Sequence, residues 1–205
     1  MPYGWLKSHW HVLKNTNYLR YALLSPLFFA GEWFYISFLP FYTQDTLGLS
    51  ATEYGLFMGI ILLFYAVGSL LAGHLQKYIA TDKLIFLGLV LSLFTPLGLG
   101  IIYICQLTSI TFLSLFLSLY FFSMGILFPT TVSASLTQFR TLKGTASALR
   151  YLLITLGGFF GAYVAQILPE STILNLIFFL VTVTISALAI FFLLSPKPHS
   201  PPPFE

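Results

Sequence analysis

Charge is what this chain has least of. Nine Lys and Arg and six Asp and Glu make up 7% of its 205 residues, against roughly 25% in a soluble domain. With 58% hydrophobic residues and a mean hydropathy of +0.90, the chain lacks the polar surface that would keep it in water. Its class is therefore a membrane protein. Cysteine is nearly absent: Cys105 stands alone, so no intrachain disulfide is possible. The four histidines (His9, His11, His74, His199) are scattered, with no Cys or carboxylate at metal-ligand spacing. They also fall at span ends or in the tail, where none can serve as base to a nucleophile in mid-membrane, so no enzyme is expected. The alternation of a membrane β-barrel is missing, as are the charge rings and carbonyl filters of a pore. The N-terminus has no short apolar core with a small-residue cleavage site, and no cleaved leader is expected.

What is present is a series of continuous apolar runs, each about 20 residues long, enough to cross a bilayer as a helix. The pattern predicts an all-α polytopic bundle of six transmembrane helices, at about 21–42, 54–75, 84–105, 110–133, 145–168 and 173–194. Residues 1–18 mix Trp5, Trp10, Leu6 and Leu13 with Lys7 and Lys14, which suits a membrane–water interface. Three domains follow: an interfacial, linker-like segment (1–18), the bundle (19–194) and an unfolded, proline-rich tail (195–205). Gly68-Ser69 and Ala72-Gly73 make a small-residue face on the second span, a device for close helix approach. Pro96 predicts a kink or unwinding in the third span. Gly125 and Pro129 fall near the expected end of the fourth.

The few charges are sharply sorted. With the N-terminus inside, Lys7, Lys14, Arg20, Lys77, Lys83, Arg140, Lys143 and Lys197 all lie on the inner side. Arg150, about one and a half turns into the fifth span, is placed either to snorkel back to that side or to stand as a second buried charge beside Glu32. The outer loops hold Asp45, Glu53 and Glu170 and no Lys or Arg. By the positive-inside rule both termini are cytoplasmic. The net charge of +3 is therefore topology rather than a nucleic-acid footprint.

Glu32 lies about halfway along the first run, YALLSPLFFAGEWFYISFLPFY. A carboxylate at that depth costs several kcal/mol unless protonated, paired or wetted. Phe28 and Tyr35 share its helix face, and Ser25 and Leu39 extend it. Tyr35 is placed to offer its hydroxyl to the carboxylate, and the rings to offer a bed for a flat or cationic guest. Two readings stand side by side. Either this face lines a substrate and proton pathway of Glu32, Tyr35 and Phe28, or Glu32 is a neutral carboxyl that only holds a neighbouring helix.

Three stretches carry a resemblance. They are FYISFLPFYTQDTLGLSATEYGLFMG at 34–59, Gly68-Ser69 through Ala72-Gly73-His74-Leu75, and Gly125-Ile126-Leu127-Phe128-Pro129 followed by GTASAL at 144–149. Together they resemble the C-terminal half of a major facilitator superfamily transporter, in the Bcr/CflA branch of drug–proton antiporters. The likeness covers about 15–194, and residues 1–14 resemble the link between that family's two halves. It implies multidrug or small-molecule efflux across the bacterial inner membrane, with the proton as coupling ion and no other cofactor. Glu32 and Tyr35 would lie near the cavity, with Gly68, Gly73, Gly125, Pro129, Gly144 and Ser147 as packing and gating residues. The loop after Gly73, HLQKYIATDK, departs from the family's G-x-L-x-D-R-x-G-R-R pattern at its acidic and arginine positions.

That family has twelve spans in two bundles, with the cavity between them, and this chain supplies one. A second bundle is the expected partner, as a parallel homodimer or a separate N-terminal half, beside lipid and a small amphipathic or cationic substrate. A non-transporting structural subunit and an inactive remnant are the alternatives.

Overall fold

The computed structural model describes residues 4–107, 109–139, 141–169 and 172–194. The tail expected at 195–205, and Arg140, Glu170 and Lys197 of the charge pattern, lie outside the described residues. The described chain is all α-helical. α1 (Trp5–Lys14) and α2 (Thr16–Ala22) lead into α3 (Leu24–Phe41), which ends in a π-helical turn at Tyr42–Thr46. Five helices follow: α4 (Ala51–Leu75), α5 (Thr81–Ile104), α6 (Ile110–Leu136), α7 (Lys143–Ile167) and α8 (Leu174–Leu193). Six stretches among the described residues are long and apolar enough to cross a membrane: Thr16–Thr46 and α4 to α8. The protein is a multi-pass membrane protein.

Local chemistry sets several boundaries. Ser50 and Glu53 form a capping box, so α4 starts three residues before the predicted edge of its apolar run. Asn15 caps α2 by accepting from the Tyr18 amide, and the first span begins there rather than at Tyr21. Past Pro40, which has no amide to donate, the chain widens into the π turn, where the Thr43 hydroxyl donates to the Leu39 and Pro40 carbonyls. α5 stays α-helical through Pro96, so the unwinding expected there is absent. α6 likewise continues through Pro129 for seven more residues, to Leu136. The Thr130 and Thr131 hydroxyls bond back to the Ile126 and Leu127 carbonyls beside the proline. Gly125 and Pro129 therefore sit inside a continuous helix, not at a flexible end.

Glycines decide which helices come closest. A Cβ on Gly157 or Gly161 would run into the backbone of Pro26 or Ala30, so α7 lies directly against α3. A Cβ on Gly68 would meet the Phe122 carbonyl, and one on Gly125 the Tyr65 carbonyl, which fixes α4 against α6. Ala72 is buried on the same face, whereas Gly73 and Gly144 look onto open space, and the close packing expected at both is absent from this chain. Ser147 is partly buried near the start of α7. α5 packs against α6 and α8, and α8 returns to α3. α3 and α6 touch only sparingly. Phe34 stacks on Phe179 of α8, with ring centroids 4.3 Å apart, and this aromatic contact helps seal the core.

Side-chain bonds show which helix ends lie together. Tyr18 donates to the Ala146 carbonyl at the start of α7, and Arg20 pairs with Asp82 at the start of α5. Arg20 Nε also donates to the Phe191 carbonyl near the end of α8. The described Lys residues thus gather at one end of the bundle, and Asp45 and Glu53 at the other. Replacing Gly161 with Val is expected to lower the unfolding free energy in detergent by about 1–3 kcal/mol through overpacking, while Gly73→Ala leaves it unchanged. Circular dichroism melts of the two variants check this.

Candidate functional site

One stripe of α3 carries Ser25, Phe28 and Glu32, spaced three and four residues apart and so on one face. It looks across at a matching stripe of α6: Tyr120, Met124, Leu127 and Thr131. Between the two lies a narrow groove, too tight to admit a water molecule, lined by Leu24, Ser25 and Phe28 from α3 and by Met124, Leu127, Phe128 and Thr131 from α6. It is closed packing rather than a pocket of the ~300–1,000 Å³ that drug-sized ligands occupy. Phe28 is fully buried against Tyr120, whose hydroxyl donates to the Phe28 carbonyl at 3.1 Å. Gly31 leaves room for that hydroxyl, since a Cβ there would collide with it.

Glu32 sits one turn beyond Phe28. Its Oε2 is buried and has no hydrogen-bond partner among the described residues. The hydroxyl expected from Tyr35 goes elsewhere: it donates to Met58 Sδ at 2.8 Å, and the ring packs edge-on to Phe121. Tyr35 is thus part of the α3–α4–α6 packing and does not bond the carboxylate. Phe28 and Glu32 are brought together as the spacing predicts.

Arg150, open in the sequence between a snorkelling cation and a second buried charge, does not snorkel. Instead it is 1% exposed. Its Nη2 donates to Ser25 Oγ and, at 3.5 Å, to Thr131 Oγ1, and its guanidinium lies 5.0 Å from the Phe128 ring centroid. Thr131 gives its own proton to the Leu127 carbonyl, so it accepts from Ser25, 3.0 Å away. Arg150 Nε has no partner among the described residues. Among the described residues no carboxylate pairs with this guanidinium, and Glu32 lies about two turns along α3 from Ser25, the guanidinium's partner. The neighbouring helices cover Arg150, which depth along one helix does not reveal; the hydroxyl pair at Thr130-Thr131 was the available signal.

Sequence reasoning also missed the clasp of Arg20, Asp82 and Tyr21. Arg20 Nη1 and the Tyr21 hydroxyl reach the two Asp82 oxygens at 2.9 and 2.8 Å, and Arg20 lies over the Phe191 ring. Asp82 is 40% exposed while Arg20 is buried, which suits a clasp at the membrane edge.

Six apolar spans packed as one helical bundle, with a guanidinium buried among them, define a polytopic membrane protein. The chain belongs to the major facilitator superfamily, which its residues 8–205 match. It is similar to Vacuolar basic amino acid transporter 2 of Saccharomyces cerevisiae, 31% identical over 157 residues. It is also similar to the MFS-type transporter YdgK of Bacillus subtilis, 25% identical over 154 residues. Each match covers 75% of this chain but only 32% and 38% of the relative, so the chain spans about a third of the length of these relatives.

Removing the Ser25 hydroxyl (Ser25→Ala) takes an acceptor from a buried cation and is expected to cost about 1.5–3 kcal/mol. Tyr35→Phe, which loses only a bond to sulfur, is expected to cost less than about 1 kcal/mol. Thermal unfolding in detergent ranks the two.

Proposed function

We propose that this chain is one bundle of a proton-coupled transporter that exchanges protons for a small cationic or amphipathic solute at Glu32. The observation that carries the reading is a mid-span carboxylate whose Oε2 is buried and has no hydrogen-bond partner among the described residues. A cationic guest needs the ionised carboxylate and a bound proton removes its charge, so proton and guest compete for one group. Phe28 provides the aromatic wall beside the guest, and Tyr35 holds α3 in place through Met58. The yeast relative's name speaks of basic amino acids, which agrees with a cationic guest.

In this reading the bundle is the C-terminal half of a Bcr/CflA-type efflux antiporter of the bacterial inner membrane, with the N- and C-termini cytoplasmic. The proton is the coupling ion, and the chemistry asks for no other cofactor. The partner is a second six-helix bundle, a parallel homodimer or a separate N-terminal half. α4 and α7 support it: they are the least buried spans and present apolar faces, Leu63, Val67 and Leu70 on one and Phe159, Phe160 and Tyr163 on the other. The Gly68–Gly125 and Gly157–Pro26 contacts are smooth surfaces for helix sliding, with Pro129, Gly144 and Ser147 at the cytoplasmic half of the gate.

Reconstituted alone in liposomes, the chain is expected to drive flux of a cationic dye on a proton gradient. Glu32→Gln should leave any remaining flux indifferent to pH across the neutral range. Normal folding with unchanged pH-dependent flux in that variant removes Glu32 from the mechanism. The orientation has its own test. A membrane-impermeant amine reagent added to the periplasmic face is expected to leave Lys77 and Lys143 unmodified, and labelling of either reverses the topology.

A further inference from the structure

The helix ahead of the bundle carries a face turned away from it. Lys7, Trp10, His11 and Lys14 are spaced at i, i+3, i+4 and i+7 along α1, which places them on one side of the helix. All four are exposed, Trp10 by 62%. Val12 lies on the opposite side. It is fully buried in a small cluster with Tyr18, Ala22, Phe139 and Ala146, and that cluster seats α1 on α2 and on the α6–α7 connection. At Asn15 the backbone leaves the helical region (φ −77°, ψ 105°), so α1 does not prolong the axis of the first span. That span runs from Thr16 for 31 residues, about 46 Å of helix, which crosses the headgroup layers as well as the hydrocarbon. Lys14, just ahead of Thr16, therefore stands at headgroup level.

The charge on this face meets no carboxylate. The chain has no Asp or Glu before Glu32. Asp82, the carboxylate at this rim among the described residues, is already held by Arg20 and Tyr21. Lys14 Nζ instead lies 5.3 Å from the Trp10 ring centroid, which keeps charge and ring together at the surface. An exposed indole beside exposed ammonium groups suits a membrane–water interface. Lys77, Lys83 and Lys143 are exposed at the same rim and add to the positive field. We propose that this stripe of α1 is a docking surface for anionic phospholipid headgroups, with Lys7 and Lys14 on the phosphates and the Trp10 indole among the headgroups. Zwitterionic headgroups offer the lysines no net charge, whereas anionic ones do. Each lysine favours the anionic lipid by roughly fivefold. Because Val12 lies on the same helix, a headgroup bound on one side fastens the α6–α7 connection on the other. This docking does not depend on transport at Glu32.

The test follows backbone amide exchange of α1 in the full chain, in nanodiscs of phosphatidylcholine alone or mixed with phosphatidylglycerol. Exchange across α1 is expected to slow roughly tenfold when phosphatidylglycerol is present, while α4 to α8 exchange alike in both lipids. About 1 M salt, which shortens the Debye length to ~3 Å, is expected to erase the difference. So is the double variant Lys7→Gln, Lys14→Gln, whose changes lie on the exposed face and spare the Val12 cluster. Equal α1 exchange of the unaltered protein in the two lipids overturns the inference. Slowing that persists in the double variant overturns it too, because the charge then acts elsewhere on the rim. If soluble polyglutamate slows α1 on neutral nanodiscs as strongly as phosphatidylglycerol does, the stripe is a site for an acidic protein and not for lipid.

Discussion

An unpaired charge in an apolar bundle is the constraint around which this molecule is arranged. The surroundings offer little water to hydrate it, and its cost falls only if a group of opposite sign or a proton arrives. The bundle holds two such groups, Glu32 and Arg150, and among the described residues no ion pair joins them. Had they met, they would have formed an internal salt bridge with little left to offer a guest. Held apart by Phe28 and Tyr120, each retains its demand for a partner. The Ser25–Thr131 pair steadies Arg150 without neutralising it, because hydroxyls supply dipoles and no charge.

The helix packing serves that separation. Gly157 and Gly161 draw α7 onto α3, and Gly68 and Gly125 draw α4 onto α6. The two tight pairs leave α3 and α6 meeting at a few side chains, among them Ser25 with Thr131 and Phe28 with Tyr120. Without the glycines on α7, Arg150 would stand farther from Ser25. Small residues at one contact therefore set the chemistry at another.

Much of this was legible in the sequence. The apolar runs gave six spans to within a few residues, because crossing a bilayer imposes a length that no side-chain detail overrides. The gathering of Lys at one end followed from counting spans. Ser25, Phe28 and Glu32 were legible as one face, because helical periodicity is local. What failed was each inference that needed a neighbour. Tyr35 shares the Glu32 face, but Met58 of α4 stands nearer its hydroxyl. Arg150 stayed open between a snorkelling cation and a second buried charge, since depth along one helix does not reveal what covers it. Gly73 and Gly144 looked like packing positions, but no helix approaches either. Pro96 and Pro129 looked like breaks, yet both helices run through them. Hydroxyls bonded to carbonyls beside Pro129 help to satisfy the backbone there.

The clasp at Arg20 has a mechanical meaning. One guanidinium fastens the opening turns of the first span to the head of the third and to the closing turns of the sixth. The bundle is thereby cinched at its lysine-rich rim, like a barrel with a hoop at one end only. At the far rim the described side chains show no equivalent ion pair, and there the chain has a wider π turn. Any splaying of these six helices therefore hinges at the hooped end and gapes at the other.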